Sequence, residues 1–375
     1  MSRDVINPAK PAHPSRKGGP ERPATLADVA RLAGVVAMTA SRAINGTDYV
    51  SAEVRKRVLK AAAQLNYRPN MVARQLRSRR LNAIGILLPD IANPFSAELV
   101  QGLKQVFDNE GYTSFIATSN RSVAQEEAGL QSFLDHRVDG LVVATRGTVI
   151  GDKVLRRIAP QNVPLVTIGR PVHFAGVDSV TADHYQGAFD AVTHLIALGH
   201  KRIGFLGISP GDARLLRRYE GYAAAMKAAG LDLSSEYTVG PEDTPAFATQ
   251  QDGYDGMLRL AQLRRPPTAV FARNDFTAIG AMHAARMLGL SIPDDLAIAG
   301  FDNIPLAAFT APPLTTVEQP IARQGIEAAQ FLLERIRGEA GKSRESVMPC
   351  RLVVRESTDS SIGAPAKQES VRGKT

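Results

Sequence analysis

The chain has 375 residues, 44% of them apolar, a single cysteine (Cys350) and a formal net charge of +8. That length predicts two or three domains with sizeable cores, and one cysteine excludes both an intrachain disulfide and a cysteine-based zinc cluster. No secretory apolar segment opens the sequence and no apolar run approaches the ~18 residues of a membrane span, so a protein of the reducing cytoplasm with no membrane partner is expected.

The charge is segregated. Residues 1–80 hold 16 Lys and Arg against 5 Asp and Glu, whereas residues 81–375 hold 29 against 32. All of the excess positive charge therefore falls at the N-terminal end, as expected of a segment that meets phosphates in a salt-dependent way.

Residues 1–23 are rich in Pro, Gly, Lys and Arg with no apolar period and are expected to be a disordered basic arm. A three-helix unit follows over 24–67. Thr25 can cap a first short helix, with Asp28 at its third position, Leu26, Val29, Ala30 and Ala33 on one face, and Gly34 ending it. The second helix turns small residues inward and Thr39, Ser41, Arg42 and Asn45 outward. Ser51 caps a third helix on which Val54, Val58, Ala61, Ala62 and Leu65 close a small core. This spacing predicts a helix-turn-helix whose second helix enters a DNA major groove. Ala37 and Met38, at the leading end, would offer apolar surface to base edges. Arg42, one turn on, can bind guanine bidentately, and Thr39, Ser41 and Asn45 are assigned to phosphates. Residues 68–82 then read as a hinge and linker. Pro69 fixes an extended backbone, Asn70 can cap, and Met71 to Arg77 form a helix too short to stand alone, expected to form only against DNA and a partner hinge.

From residue 83 short apolar runs alternate with amphipathic segments: Ile84–Leu88, Ser114–Ala117, Leu141–Ala144 and Leu165–Ile168, then Arg202–Gly207, Tyr237–Gly240, Ala269–Phe271 and Leu296–Phe301. Helices are predicted between them at Ala97–Asn109, Gln125–Asp135, His184–Leu198, Glu220–Ala229 and Thr277–Leu288. This is the pattern of two doubly wound, mostly parallel α/β lobes over 83–357, followed by a disordered tail over 358–375. Ligands of such lobes bind beyond the carboxyl ends of the strands. The residues there are polar: Asp90, with Asn93-Pro94-Phe95 starting the next helix, then Gly169-Arg170, Arg214, Arg217 and Arg218, Asn274-Asp275, and Asp302-Asn303. Carboxylates and arginines suit hydroxyls, and Phe95 offers an apolar face. Asn274-Asp275 and Asp302 are also good helix caps, and that reading stands beside the first.

His194 and His200 flank Gly199, and a C-cap with charges complementing the helix dipole explains them better than a metal pair. There is no phosphate-binding, nucleophile-elbow or zincin motif, so neither metal, cofactor nor catalysis is expected.

Three stretches carry a family resemblance: Leu-Ala-Asp-Val-Ala-Arg-Leu-Ala-Gly-Val (26–35), Thr-Ala-Ser-Arg-Ala-Ile-Asn-Gly (39–46) and Tyr-Arg-Pro-Asn-Met-Val-Ala-Arg-Gln-Leu (67–76). They resemble the signatures of the lactose-repressor (LacI-type) family, and the likeness continues to about residue 357. The resemblance implies an all-α helix-turn-helix domain joined to a two-lobed, periplasmic-binding-protein-like α/β domain. It implies a repressor-type regulator that binds double-stranded operator DNA as a homodimer and responds to a small sugar-like effector. On it the DNA-contacting set is Thr25, Leu26, Ala37, Met38, Thr39, Ser41, Arg42, Asn45, Tyr49, Ser51, Tyr67, Asn70, Ala73, Arg74 and Leu76, with Leu76 wedged into the minor groove. It implies that Arg218, Asn274 and Asp302 contact the effector and that Phe95 and Arg170 line its pocket; Asp90 and Arg214, read from the strand ends, complete the candidate effector set. It further implies that the chain recrosses near Thr315–Gln319, adds an Ile321–Arg337 helix to the first lobe and returns a strand near Leu352–Glu356 to the second. Val36 departs from the family, which usually has Ser there. Residues 358–375 carry no apolar heptad, so assembly is expected to stop at the dimer. A sugar-binding module or sugar-processing enzyme without a DNA role is the alternative. The basic N-terminal segment opposes the first, and the lack of an identifiable base or nucleophile opposes the second.

Overall fold

The computed structural model describes residues 24–46, 50–67, 81–120, 122–144, 163–169, 175–207, 213–240, 249–339, 341–359 and 361. The basic arm and residues 68–80 of the hinge lie outside them, as does nearly all of the tail. The chain divides into two compact units, Met1–Arg79 and Arg80–Thr375.

In the first unit, α1 (Leu26–Ala33), α2 (Ala37–Asn45) and α3 (Ala52–Gln64) enclose Val29, Ala30, Ala33, Ala40, Ala43, Val58 and Ala61. Alanines at the contacts let short helices approach closely, which is how so short a unit makes a core at all. The turns are written in the sequence. Thr25 and Asp28 form a reciprocal capping box, with Thr25 N donating to Asp28 Oδ2 at 2.9 Å. Gly34 (φ +67°) and Gly46 (φ +75°) take the left-handed conformation that ends α1 and α2. Ser51 Oγ accepts from Val54 N to start α3.

The second unit holds two six-stranded sheets. Sheet 1 has the order β11-β5-β4-β3-β1-β2, from β1 (Ala83–Leu88), β2 (Thr113–Thr118), β3 (Gly140–Val143), β4 (Leu165–Ile168), β5 (Val177–Ala182) and β11 (Glu345–Met348), all parallel. Sheet 2 has the order β12-β10-β9-β8-β6-β7, from β6 (Ile203–Leu206), β7 (Thr238–Val239), β8 (Ala269–Ala272), β9 (Ala297–Asp302), β10 (Thr315–Glu318) and β12 (Arg351–Val353); only the β10–β12 pairing is antiparallel. Helices α4 (Pro94–Asn109), α5 (Val123–Asp135) and α10 (Ile321–Arg337) serve sheet 1. Helices α6 (His184–Ala197), α7 (Ala213–Ala228), α8 (Gln250–Ala261) and α9 (Asp275–Met287) serve sheet 2. Among the described residues the chain crosses between the lobes three times, after β5, β10 and β11.

Four elements were not legible as strands or helices in the sequence, one of them β10, which was expected only as a crossing near Thr315–Gln319. β5 reads Val-Asp-Ser-Val-Thr-Ala rather than as an apolar run, yet all six residues are buried. Its Asp178 is fully buried between Arg335 and Arg344, whose guanidiniums reach it at 2.7 Å each. Burial opposes ionisation there, but the arginine hydrogen bonds win and hold the carboxyl below the usual carboxylate range. β11 is an edge strand with mostly exposed side chains, so it carries little apolar signal. α8 was also missed, although Thr249 and Asp252 give it a capping box. The returning strand β12 begins one residue earlier than expected and ends at Val353, because Arg355 and Ser357 turn back to bond Thr315.

His194 and His200 depart from the expected charged cap. His194 Nε2 lies 2.9 Å from Thr358 Oγ1 and His200 Nδ1 3.0 Å from Thr268 Oγ1. Burial lowers the pKa of both, so they are neutral hydrogen-bonding side chains at neutral pH. Gly199 (φ +95°) does supply the left-handed residue after α6. Cys350 is half-buried, with its thiol pushed up to about 12 by burial.

Candidate functional site

In the N-terminal unit the second helix presents one polar and one apolar group of side chains. Ala37, Met38, Arg42 and Asn45 are exposed, Thr39 and Ser41 half-buried, and Ala40 and Ala43 face the core. Met38 is 59% exposed and Val36 68%, an arrangement that leaves apolar surface in water at the leading end of α2. Val36 is the N-cap and makes no side-chain cap bond, so the first amides of α2 point outward without one. Asn45 Nδ2 donates to Ser41 Oγ at 3.3 Å, tying two of the expected phosphate contacts together. Other predicted DNA contacts have structural work in addition. Thr25 and Ser51 are caps, while Leu26 and Tyr67 pack against the helical core. Tyr49, Asn70, Ala73, Arg74 and Leu76 lie outside the described residues.

In the second unit the constellation gathers at the tip of β9. Asp302, its last residue, has φ +111°, and Asn303 follows at φ +53°. Non-glycine residues seldom adopt such angles, and they occur where surrounding contacts over-determine the backbone. Asp302 is held by Arg218 of α7, whose Nη2 donates to Oδ1 at 3.2 Å while the guanidinium stacks 3.9 Å from the Phe301 ring centroid. Arg218 Nη1 also donates to the Arg273 carbonyl. Both charged side chains are under one-tenth exposed. Gln319, directly after β10, donates Nε2–H to the same Asp302 oxygen at 2.6 Å. Its Oε1 lies 3.1 Å from His184 Nε2, at the start of α6. Guanidinium, carboxylate and carboxamide are thus fixed together in the low-dielectric interior, where the cluster combines hydrogen-bond donors with acceptors.

Asn274 caps α9 through Thr277 N at 3.0 Å, as the capping alternative held. Asp275 is fully buried and accepts from Ile304 N at 2.8 Å and Thr316 Oγ1 at 2.5 Å. Burial first, and the charge of Asp302 second, push its carboxyl up to about 8. Phe95 is in the first turn of α4 and in the sheet 1 core, and Asp90 accepts from Ala92 N in the loop after β1. The predicted effector residues Arg218, Asn274 and Asp302 therefore lie at carboxyl ends of sheet 2 strands, and Asp90 and Phe95 follow the end of β1 in sheet 1. Arg170 and the side chain of Arg214 lie outside the described residues. Gln319 and His184 were missed. The rule that found Asp302, polar residues just after a strand, also finds Gln319 once Thr315–Glu318 is read as a strand rather than a crossing.

Residues 25–70 match the model of the bacterial regulatory proteins of the lacI family, and residues 192–358 match a periplasmic binding protein-like domain. The transcriptional regulator DegA of Bacillus subtilis (strain 168) is 34% identical over 339 residues, 89% of this chain and 98% of DegA. The chain belongs to the lacI family. Among solved structures, the Lac repressor bound to ONPG in its repressed state is similar with TM-score 0.79 and 30% identity, covering 90% of this chain and all of that one. The CelR–cellobiose complex is similar with TM-score 0.67 and 31% identity, covering 89% and 99%. The family resemblance in the first 80 residues and the fold it implied thus hold along the chain, and the protein is a helix-turn-helix transcriptional regulator that binds DNA. Its relatives are regulators rather than enzymes. Among the described residues no helix is long and apolar enough to cross a membrane, and no group of three His, Cys, Asp or Glu is placed to hold a metal ion.

Proposed function

We propose that this regulator represses transcription from a palindromic operator as a cytoplasmic, non-catalytic homodimer, and that a sugar or sugar derivative bound between its two α/β lobes sets its operator affinity. The observation that carries the effector reading is the buried Arg218–Asp302–Gln319 constellation, built at strand tips where open α/β sheets bind ligands. Similarity to a CelR–cellobiose complex and an ONPG-bound Lac repressor supports a glycoside-like ligand. In this reading residues 1–23 are the arm, 24–67 read DNA, 68–82 form the hinge, 83–357 bind effector and dimerise, and 358–375 form the tail. In the same reading Leu76 wedges the minor groove and Arg42 reads a base.

Gln319 and His184 sit beside two of the three interlobe crossings, so a ligand that engages Gln319 acts where the lobes are joined. Lobe closure then moves the two hinges of the dimer, with a coupling typically worth about 1–3 kcal/mol. The test is operator binding by the full-length protein across a panel of sugars, sugar acids and sugar phosphates. Release or tightening by one member supports the reading; operator binding indifferent to all, with no thermal stabilisation by any, removes it.

A further inference from the structure

Gln324 is fully buried, and among the described residues neither its Nε2 nor its Oε1 has a hydrogen-bond partner. A carboxamide so placed forfeits hydration without compensation, which native cores seldom tolerate away from a binding site. Its position is set by α10. Gly140, at the start of β3, packs against Leu332 and Ile336 late in that helix, so α10 runs opposite to the strands and its first turns lie at their carboxyl edge. Gln324 follows Ile321, which shares the sheet 1 core with Leu88, Phe95 and Ile168, the first and last of them near that same edge.

Two further features hold this point rigid. A Cβ on Gly102 would come within 2.2 Å of Ala322 O, and one on Gly325 within 2.6 Å of Leu99 O, so α4 and α10 touch backbone to backbone on either side of Gln324. The Glu98 carboxylate, in turn, is hydrogen-bonded to the Ala322 backbone at the start of α10. A second unpartnered group occurs in the first turn of α4, the hydroxyl of Ser96, in a residue only 1% exposed. α4 follows β1, so Ser96 too is at the carboxyl edge of sheet 1.

We propose that the Gln324 carboxamide is the sheet 1 contact of the effector and selects a neutral ligand with adjacent hydroxyls, one accepting from Nε2–H and the other donating to Oε1. The inference rests on the effector reading above and deepens it. Ser96 supplies a further hydroxyl on the same side, opposite in kind to the charged Arg218–Asp302 pair of sheet 2. A carboxamide donates and accepts at once and carries no charge, so it matches a vicinal diol and gives an anionic group nothing to pair with.

The experiment compares full-length wild type, Gln324→Leu and Gln324→Met by thermal unfolding and calorimetry. The probes are D-ribose and cellobiose, glucose and gluconate, glucose 6-phosphate, and the nucleoside adenosine as a second source of a vicinal diol. Wild type is expected to respond to a neutral member of the panel. Both variants should bind that compound at least tenfold more weakly while unfolding, without ligand, about 2 °C or more above wild type, since an unpaired buried amide has been replaced by an apolar group. Unchanged affinity in both variants overturns the contact while leaving the effector reading intact. A lower unfolding temperature in both shows that the amide is already satisfied inside the fold, and also overturns it. A response to gluconate or glucose 6-phosphate alone overturns the neutral selectivity, and a wild type indifferent to every probe overturns both readings.

Discussion

Gln319 donates its Nε2–H to Asp302 Oδ1 across 2.6 Å, joining the residue that leaves sheet 2 for α10 to the tip of the neighbouring strand. Because Arg218 uses the same oxygen, the three side chains form one buried unit rather than a row of independent contacts.

Asp302→Ala should therefore act twice. Ligand binding falls by about 1–3 kcal/mol through lost hydrogen bonds. Stability falls as well, because Arg218 and Gln319 lose a buried partner. Calorimetry and thermal unfolding on the same preparation check both, and a variant that responds at the wild-type ligand concentration removes Asp302 from the effector site.

Asp275 gives a pH prediction. Its folded carboxyl keeps the proton up to about 8, against an ordinary value of 3.8, so the native state binds more protons than the unfolded chain across that window. Its contribution to stability consequently declines as pH rises through the window, the reverse of a salt-bridged aspartate. Asp275→Asn keeps an acceptor for Ile304 N and removes the titration. Its stability relative to wild type should rise with pH, by up to about 1.4 kcal/mol per unit. A difference that is flat in pH would show that the carboxyl is ionised throughout.

Val36 leaves α2 without a side-chain cap. Val36→Ser should add up to ~1 kcal/mol through the freed amides and bring a hydroxyl near DNA phosphate. Urea unfolding of the full-length protein reads the first effect. No change there would mean that water already caps the helix as well as serine does.

The helical unit was legible almost residue by residue, because capping boxes, left-handed glycines and a 3.6-residue alanine period are local signals, as Thr25, Gly34 and Ala40 illustrate. The sheets were legible where strands are continuous apolar runs, as in Ile84–Leu88. They were not where burial depends on a distant partner. Asp178 hides β5 because the arginines that neutralise it lie more than 150 residues away. Gln319 and Gln324 escaped notice for a related reason: an amide is ordinary in sequence and becomes informative only when its neighbours are known.

α2 is expected to read the operator as one half of a symmetric pair, and selection from randomised duplexes by the full-length protein measures this. Wild type is expected to yield an inverted repeat. Arg42→Ala should flatten the preference at one base pair in each half-site, where a bidentate guanine contact contributes about 1–3 kcal/mol, while the other positions keep theirs. A wild-type motif without inverted symmetry, or one that Arg42→Ala leaves unaltered, would show that α2 does not read the operator.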